Sequence, residues 1–539
     1  MLGGLGVRRA MGRLHHRTAE QRQVVNEMRQ RAEELTASGQ ALARAKHMSP
    51  QPLCFVEVAG EVDFQRSFFP DGMLSGVAIG VSDALDVRDF RTRYGTDSQL
   101  LQQMPHSEFP FVSWLRRHGA QFVGKLACRT PLTLGEASLI VPDSPAAVSV
   151  FQNACNYAIS SALMGPAAMT SPLHYDVAAF KPTAQSFATF TDSHRLGIPS
   201  MSVGITAARL DDIFYLWEVF TSAIQPSVFE DERKESSTNG GSGRSSSNSS
   251  SSSINGKNAE QGNNNNSISS SGYVGGWSGD AWRLHRNDYI GLHGHASSGA
   301  EEELLGPHIE LSVGYPADWI DELCQERLLS ADEFRRRILR LASTRNAMQK
   351  NEVLEVIPLI IDVDLETVVK ATQTIALYEL SQTFDRLYSW TGPDGKRVPS
   401  PSAPAVGSMS QPGVLEELPE ELVSAIYHGR ALTYLDYHRA LRTRDTVVRV
   451  IEEQFRDVDL IVAPILSEPY VNSSMRSIGI LLPFSLGGNP MVSVQLEPDL
   501  PVALIGELGR DTGLFEDSTT FLQFVRGTSP RWWRRKFMR

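Results

Sequence analysis

Cysteine is scarce in this 539-residue chain: Cys54, Cys128, Cys155 and Cys324 lie far apart, and no C-x-x-C spacing occurs. That argues against a thiolate zinc site and against the dense disulfide framework of small secreted domains, and it suits a reducing compartment. Long apolar runs are missing too, with nothing near the roughly 18 consecutive residues that cross a bilayer. Excess positive charge is absent, the formal net charge being −11. This removes the general electrostatic reason to bind nucleic acid and leaves only local patches. No metal-ligand set stands out, and no cofactor is expected.

Acidic residues are absent from the first nineteen positions, which carry Arg8, Arg9, Arg13 and Arg17. Such a segment can form the basic amphipathic helix of a mitochondrial presequence, the alternative being a basic tail. Residues 1–17 are therefore read as a targeting segment and the protein as mitochondrial. Residues 18–48, rich in Glu, Gln, Arg and Ala, are predicted to form an exposed N-terminal helix.

What is present is an ordinary globular composition, 41% hydrophobic and 21% charged, in a chain long enough for a large core. Short apolar runs alternate with helical periodicity. Leu74–Val81 and Leu460–Pro464 read as strands, Leu365–Tyr388 and Leu422–Phe455 as helices. The alternation predicts an α/β layered fold with a buried sheet. Two segments interrupt it. Residues 234–276 are dominated by Ser, Asn and Gly and cannot bury enough apolar surface to offset ordering entropy, so they are predicted to be a disordered insertion. Residues 393–413 are rich in Pro and Ser and read as a surface loop.

The segment Gly76-Val-Ala-Ile-Gly-Val-Ser-Asp-Ala-Leu-Asp-Val87, followed by Thr92-Arg-Tyr-Gly95, resembles the opening motif of the amidase signature family. Further blocks follow in that family's order: Trp114–Lys125, Val177-Ala-Ala-Phe-Lys-Pro-Thr183, Glu379–Arg386, Asp457–Pro464 and Leu486-Gly-Gly-Asn-Pro-Met-Val-Ser-Val494. The resemblance spans roughly residues 50–510 and implies the amidase-signature fold, a central mixed β-sheet flanked by helices in one large α/β domain spanning 49–530, of the glutamyl-tRNA amidotransferase kind.

The resemblance also implies a Ser–Ser–Lys triad, in which a neutral lysine takes a proton through a bridging serine so that a second serine can attack an amide carbonyl. All three parts of that machinery are altered here. Ser82 stands at the lysine position, and a serine hydroxyl cannot act as a base near neutral pH. Lys125 corresponds to a second, structural lysine of the pattern and does not replace the base. Counting back from Pro172 places Ala168 at the nucleophile, and counting back from Lys181 places Ala167 there; both registers end on alanine. Pro166 removes an N–H from the turn that would form an oxyanion hole. The glycine loop carrying the bridging serine corresponds to Val141–Val148, which has no glycine, leaving Ser144 as its equivalent. Thr170, Ser171 and His174 lie nearby and could in principle rebuild a nucleophile and base. Arg386 stands where amidotransferase relatives hold a substrate carboxylate; the residues themselves also allow a structural ion pair with Glu379 on the same helix face.

The chain ends in Arg531-Trp532-Trp533-Arg534-Arg535-Lys536, cations interleaved with aromatics, before its last three residues. Such a sequence suits RNA or ribonucleoprotein, an anionic membrane surface, or plain packing of two tryptophans on the domain. The expectation is a catalytically degenerate amidase-like component of a mitochondrial complex, ribosomal or amidotransferase-related. The alternative is an active amidase, or the glutaminase component of a glutamyl-tRNA(Gln) amidotransferase, with displaced catalytic groups.

Overall fold

The computed structural model describes residues 38–48, 54–61, 64, 72–96, 104–105, 107–128, 144–163, 169, 175–184, 198–224, 309–324, 329–343, 352–389, 418–466 and 479–526. The targeting segment 1–17, the insertion 234–276, the loop 393–413 and the tail 531–539 lie outside the described residues. The chain divides into one unit formed by Met1–Val219 and Leu305–Arg539 and a second, Phe220–Leu304. Of the second, only residues 220–224 are described, at the end of one helix.

In chain order the elements begin with helix α1 (Ser38–Met48) and strands β1 (Phe55–Val58) and β2 (Ala78–Ser82). Helix α2 (Pro110–Arg117), β3 (Gln121–Leu126), α3 (Pro145–Phe151), β4 (Tyr157–Leu163), β5 (Ala178–Lys181), β6 (Met201–Ala207) and α4 (Leu210–Ile224) follow. Then come β7 (Ile309–Pro316), α5 (Ala317–Leu323), α6 (Ala331–Ser343), β8 (Glu352–Leu359), α7 (Leu365–Ser389), α8 (Glu420–Ala431) and α9 (Tyr434–Gln454). The chain closes with β9 (Leu460–Pro464), α10 (Leu482–Gly487), β10 (Met491–Glu497), β11 (Leu500–Ile505) and α11 (Asp511–Arg526).

The strands form one 11-stranded mixed sheet in the order β1-β3-β2-β4-β6-β5-β10-β11-β9-β7-β8. β2 is parallel to both β3 and β4, and β7 is parallel to β8 and β9; the other pairs are antiparallel. The strands β2, β3, β9 and β11 are buried along their whole length. Near-continuous apolar sequences, such as Leu-Ile-Val-Ala-Pro in β9, are what a sheet covered on both faces requires, and β3 departs from them at the buried Gln121 and Lys125. The edge strand β8 leaves Val353 exposed. It carries Pro358, which has no N–H to offer, and Arg335 Nε donates to Val356 O at 3.4 Å, so part of the open edge is blunted.

The mixed α/β sheet matches expectation, and β9 coincides with the predicted strand. Two boundaries differ. The strand read from Leu74 begins at Ala78, because residues 72–76 form a turn in which Leu74 N donates to His118 O and Gly76 takes φ 75°. The helix read as Leu422–Phe455 is two helices. Leu432 leaves the helical region with ψ 138°, and Thr433 starts α9 through a capping box with Asp436. The N-terminal helix is described only from Ser38 onward.

On α11, Asp517 has its pKa pushed up to about 7, by burial first and then by Asp459 and Glu516, against the pull of Arg510. A folded-state pKa above the unfolded value stabilises the protein below the unfolded pKa, and that contribution is lost as pH rises through about 7. Asp517→Asn should therefore leave stability near pH 4 almost unchanged and raise it above pH 7, by an amount on the order of 1–2 kcal/mol. Urea-unfolding midpoints measured across this range check it.

Candidate functional site

The ends of the parallel strands β2 and β4 define the site. Asn156, one residue before β4, donates its N–H to Ala78 O and accepts Ala78 N on its side-chain Oδ1, each at 2.8 Å. The two strands therefore start side by side. Helix α3 reaches β4 through the short segment 152–156, so it runs back along the strands and presents its N-terminus at their C-terminal end. That arrangement puts Ser144 at the same end of the sheet as Ser82, the last residue of β2, and as Leu163, the last residue of β4. β6 starts opposite Leu163, which brings Ser200 there as well. In open α/β sheets this is the end where ligands collect.

Ser82 is buried. Its Oγ lies 3.4 Å from Ser161 Oγ and accepts from Ala84 N at 3.3 Å. Burial, reinforced by Asp83, keeps the Cys128 thiol above its ordinary range, against the opposing pull of Lys125 and Ser82. It is thus neither a thiolate nor a base. Ser144 caps α3: Pro145 occupies the first helical turn, and the Ser144 hydroxyl accepts Ala147 N at 3.4 Å. Ala167, Ala168, Pro166, Thr170, Ser171 and His174 lie outside the described residues. Arg386 lies in α7 with its side chain likewise undescribed.

Lys125 does not stand in for the lost base. Ser82 pairs with Leu126 and Val81 with Lys125, so strand alternation points Lys125 and Ser82 to opposite faces. The Lys125 ammonium is fully buried and donates to Leu85 O and, at 3.3 Å, to Thr92 Oγ1. Burial lowers its pKa, while the nearby Asp83 and Asp86 pull it back up. Asp83 in turn accepts Arg93 N and Gly95 N, each at 3.2 Å, and burial raises its pKa against the pull of Lys125. Together these groups fix the turn that leaves β2.

Glu379, on α7, is buried and accepts Ser200 N at 2.8 Å and the Tyr437 hydroxyl at 2.9 Å, so its two oxygens join β6 to α7 and α9. Burial raises its pKa; Ser200, Tyr437 and the Arg444 charge lower it. Its described partners are Ser200 and Tyr437, and no signal near Glu379 in the sequence points to Tyr437. Ser161 and Cys128 escape sequence reasoning in the same way; the Ser160–Ser161 pair inside an apolar strand is the available hint. Two blocks of the resemblance meet directly. Lys181 Nζ donates to Asn489 O at 3.0 Å, and burial lowers the Lys181 pKa to about 8 against Asp511. Asn489 then donates to Glu452 Oε1 and Gly506 O. Among the described residues no cluster of three or more His, Cys, Asp or Glu could hold a metal ion, and no helix is long and apolar enough to cross a membrane.

No protein-family model matches the chain, and no curated protein sequence matches it. Solved structures do. An amidase crystal structure is 17% identical with a TM-score of 0.56, covering 92% of this chain and 99% of that one. A glutamyl-tRNA(Gln) amidotransferase component from Thermotoga maritima is 15% identical with a TM-score of 0.54, covering 94% of each chain. A bacterial aryl acylamidase of the amidase signature enzymes is 12% identical with a TM-score of 0.55, covering 92% of this chain and 94% of that one. The chain has the amidase-signature fold.

If Lys125 holds the turn and Ser82 only fills space, their substitutions should separate. Lys125→Met leaves the buried Leu85 carbonyl and Thr92 hydroxyl without their donor and removes a charge that offsets the burial of Asp83, and should destabilise by roughly 2–4 kcal/mol. Ser82→Ala should cost about 1 kcal/mol. Denaturant midpoints of the two variants check the difference.

Proposed function

We propose that this chain is a non-catalytic amidase-fold protein that acts as a structural or assembly component of a mitochondrial complex. The observation that carries the reading is the setting of Ser82. At the end of β2, where the resemblance calls for a base, stands a buried hydroxyl whose described partners are the Ser161 hydroxyl and the Ala84 N–H, with the Cys128 thiol held above its ordinary range by burial. None of these accepts a proton near neutral pH. Two further facts support it. The Ser144 hydroxyl is committed to capping α3, and the Lys125 ammonium to Leu85 and Thr92. Amide hydrolysis belongs to the structural relatives, and here the frame is proposed to persist without the groups that make a serine nucleophilic.

A large frame released from chemistry still offers surface to other proteins. Amidotransferase and ribosomal assemblies are the candidate complexes, the first suggested by the Thermotoga maritima relative. The basic aromatic end Arg531–Lys536 is a candidate contact for ribonucleoprotein. The basic N-terminal segment supports a mitochondrial address.

The purified protein is expected to release no ammonia from glutamine or simple carboxamides above the buffer rate, with Ser82→Ala and Ser144→Ala indistinguishable from the parent. Enzyme-dependent ammonia release that disappears on Ser144→Ala or Ser171→Ala would refute this reading and establish a working amidase.

A further inference from the structure

We draw no further inference here: the strongest candidate, the buried side-chain cluster where Glu379 of α7 accepts from Ser200 N and the Tyr437 hydroxyl, belongs to the site already described, and nothing in the structure shows what ligand it would take.

Discussion

The Lys125 ammonium, buried among Asp83, Asp86, Leu85 and Thr92, is the interaction on which the site end of this protein depends. It ties the middle of β3 to the loop leaving β2, and Asp83 carries the tie onward to the backbone of Arg93 and Gly95. An isolated charge in such a place would be prohibitive; held by the Leu85 carbonyl and the Thr92 hydroxyl, with the Asp83 and Asp86 charges favouring its protonated form, it becomes a clamp. The clamp is independent of Ser82, which faces the other side of the sheet. The frame can therefore keep its shape when the residues of a reaction are exchanged.

The same separation recurs farther along the chain. Lys181 and Asn489, from distant motifs, hold β5 to the turn before β10. Glu379 links the start of β6 to α7 and α9 through Ser200 and Tyr437. These contacts lock elements together through buried side chains from distant parts of the sequence. At Ser82 and Ser144, by contrast, the hydroxyls have turned to local hydrogen bonds and helix capping. What the preserved blocks do is position the sheet, and on the proposed reading Ser82 and Ala168 stand where the resemblance implies the groups that would transfer a proton.

The sheet was legible because buried strands are continuous apolar runs: Leu460–Pro464 could be read residue for residue. The break between α8 and α9 was not, because Leu432 continues the apolar period of the helix while the stop signal lies in Thr433 and Asp436, which look like ordinary helix-surface residues. At the site, the position of Ser82 followed from its motif, but its company did not. Ser161 and Cys128 arrive from other parts of the sheet, and Tyr437 reaches Glu379 from a different helix. Local periodicity holds no record of such meetings, which sheet register and helix packing create.

An activated serine is the property this account denies, and covalent labelling reads it without any guess at a substrate. The folded protein, incubated with a fluorophosphonate probe and weighed intact by mass spectrometry, should retain its unmodified mass under conditions that fully label an active amidase of the same fold. A stoichiometric phosphonyl adduct on any serine, absent when the protein is first denatured, would contradict the account.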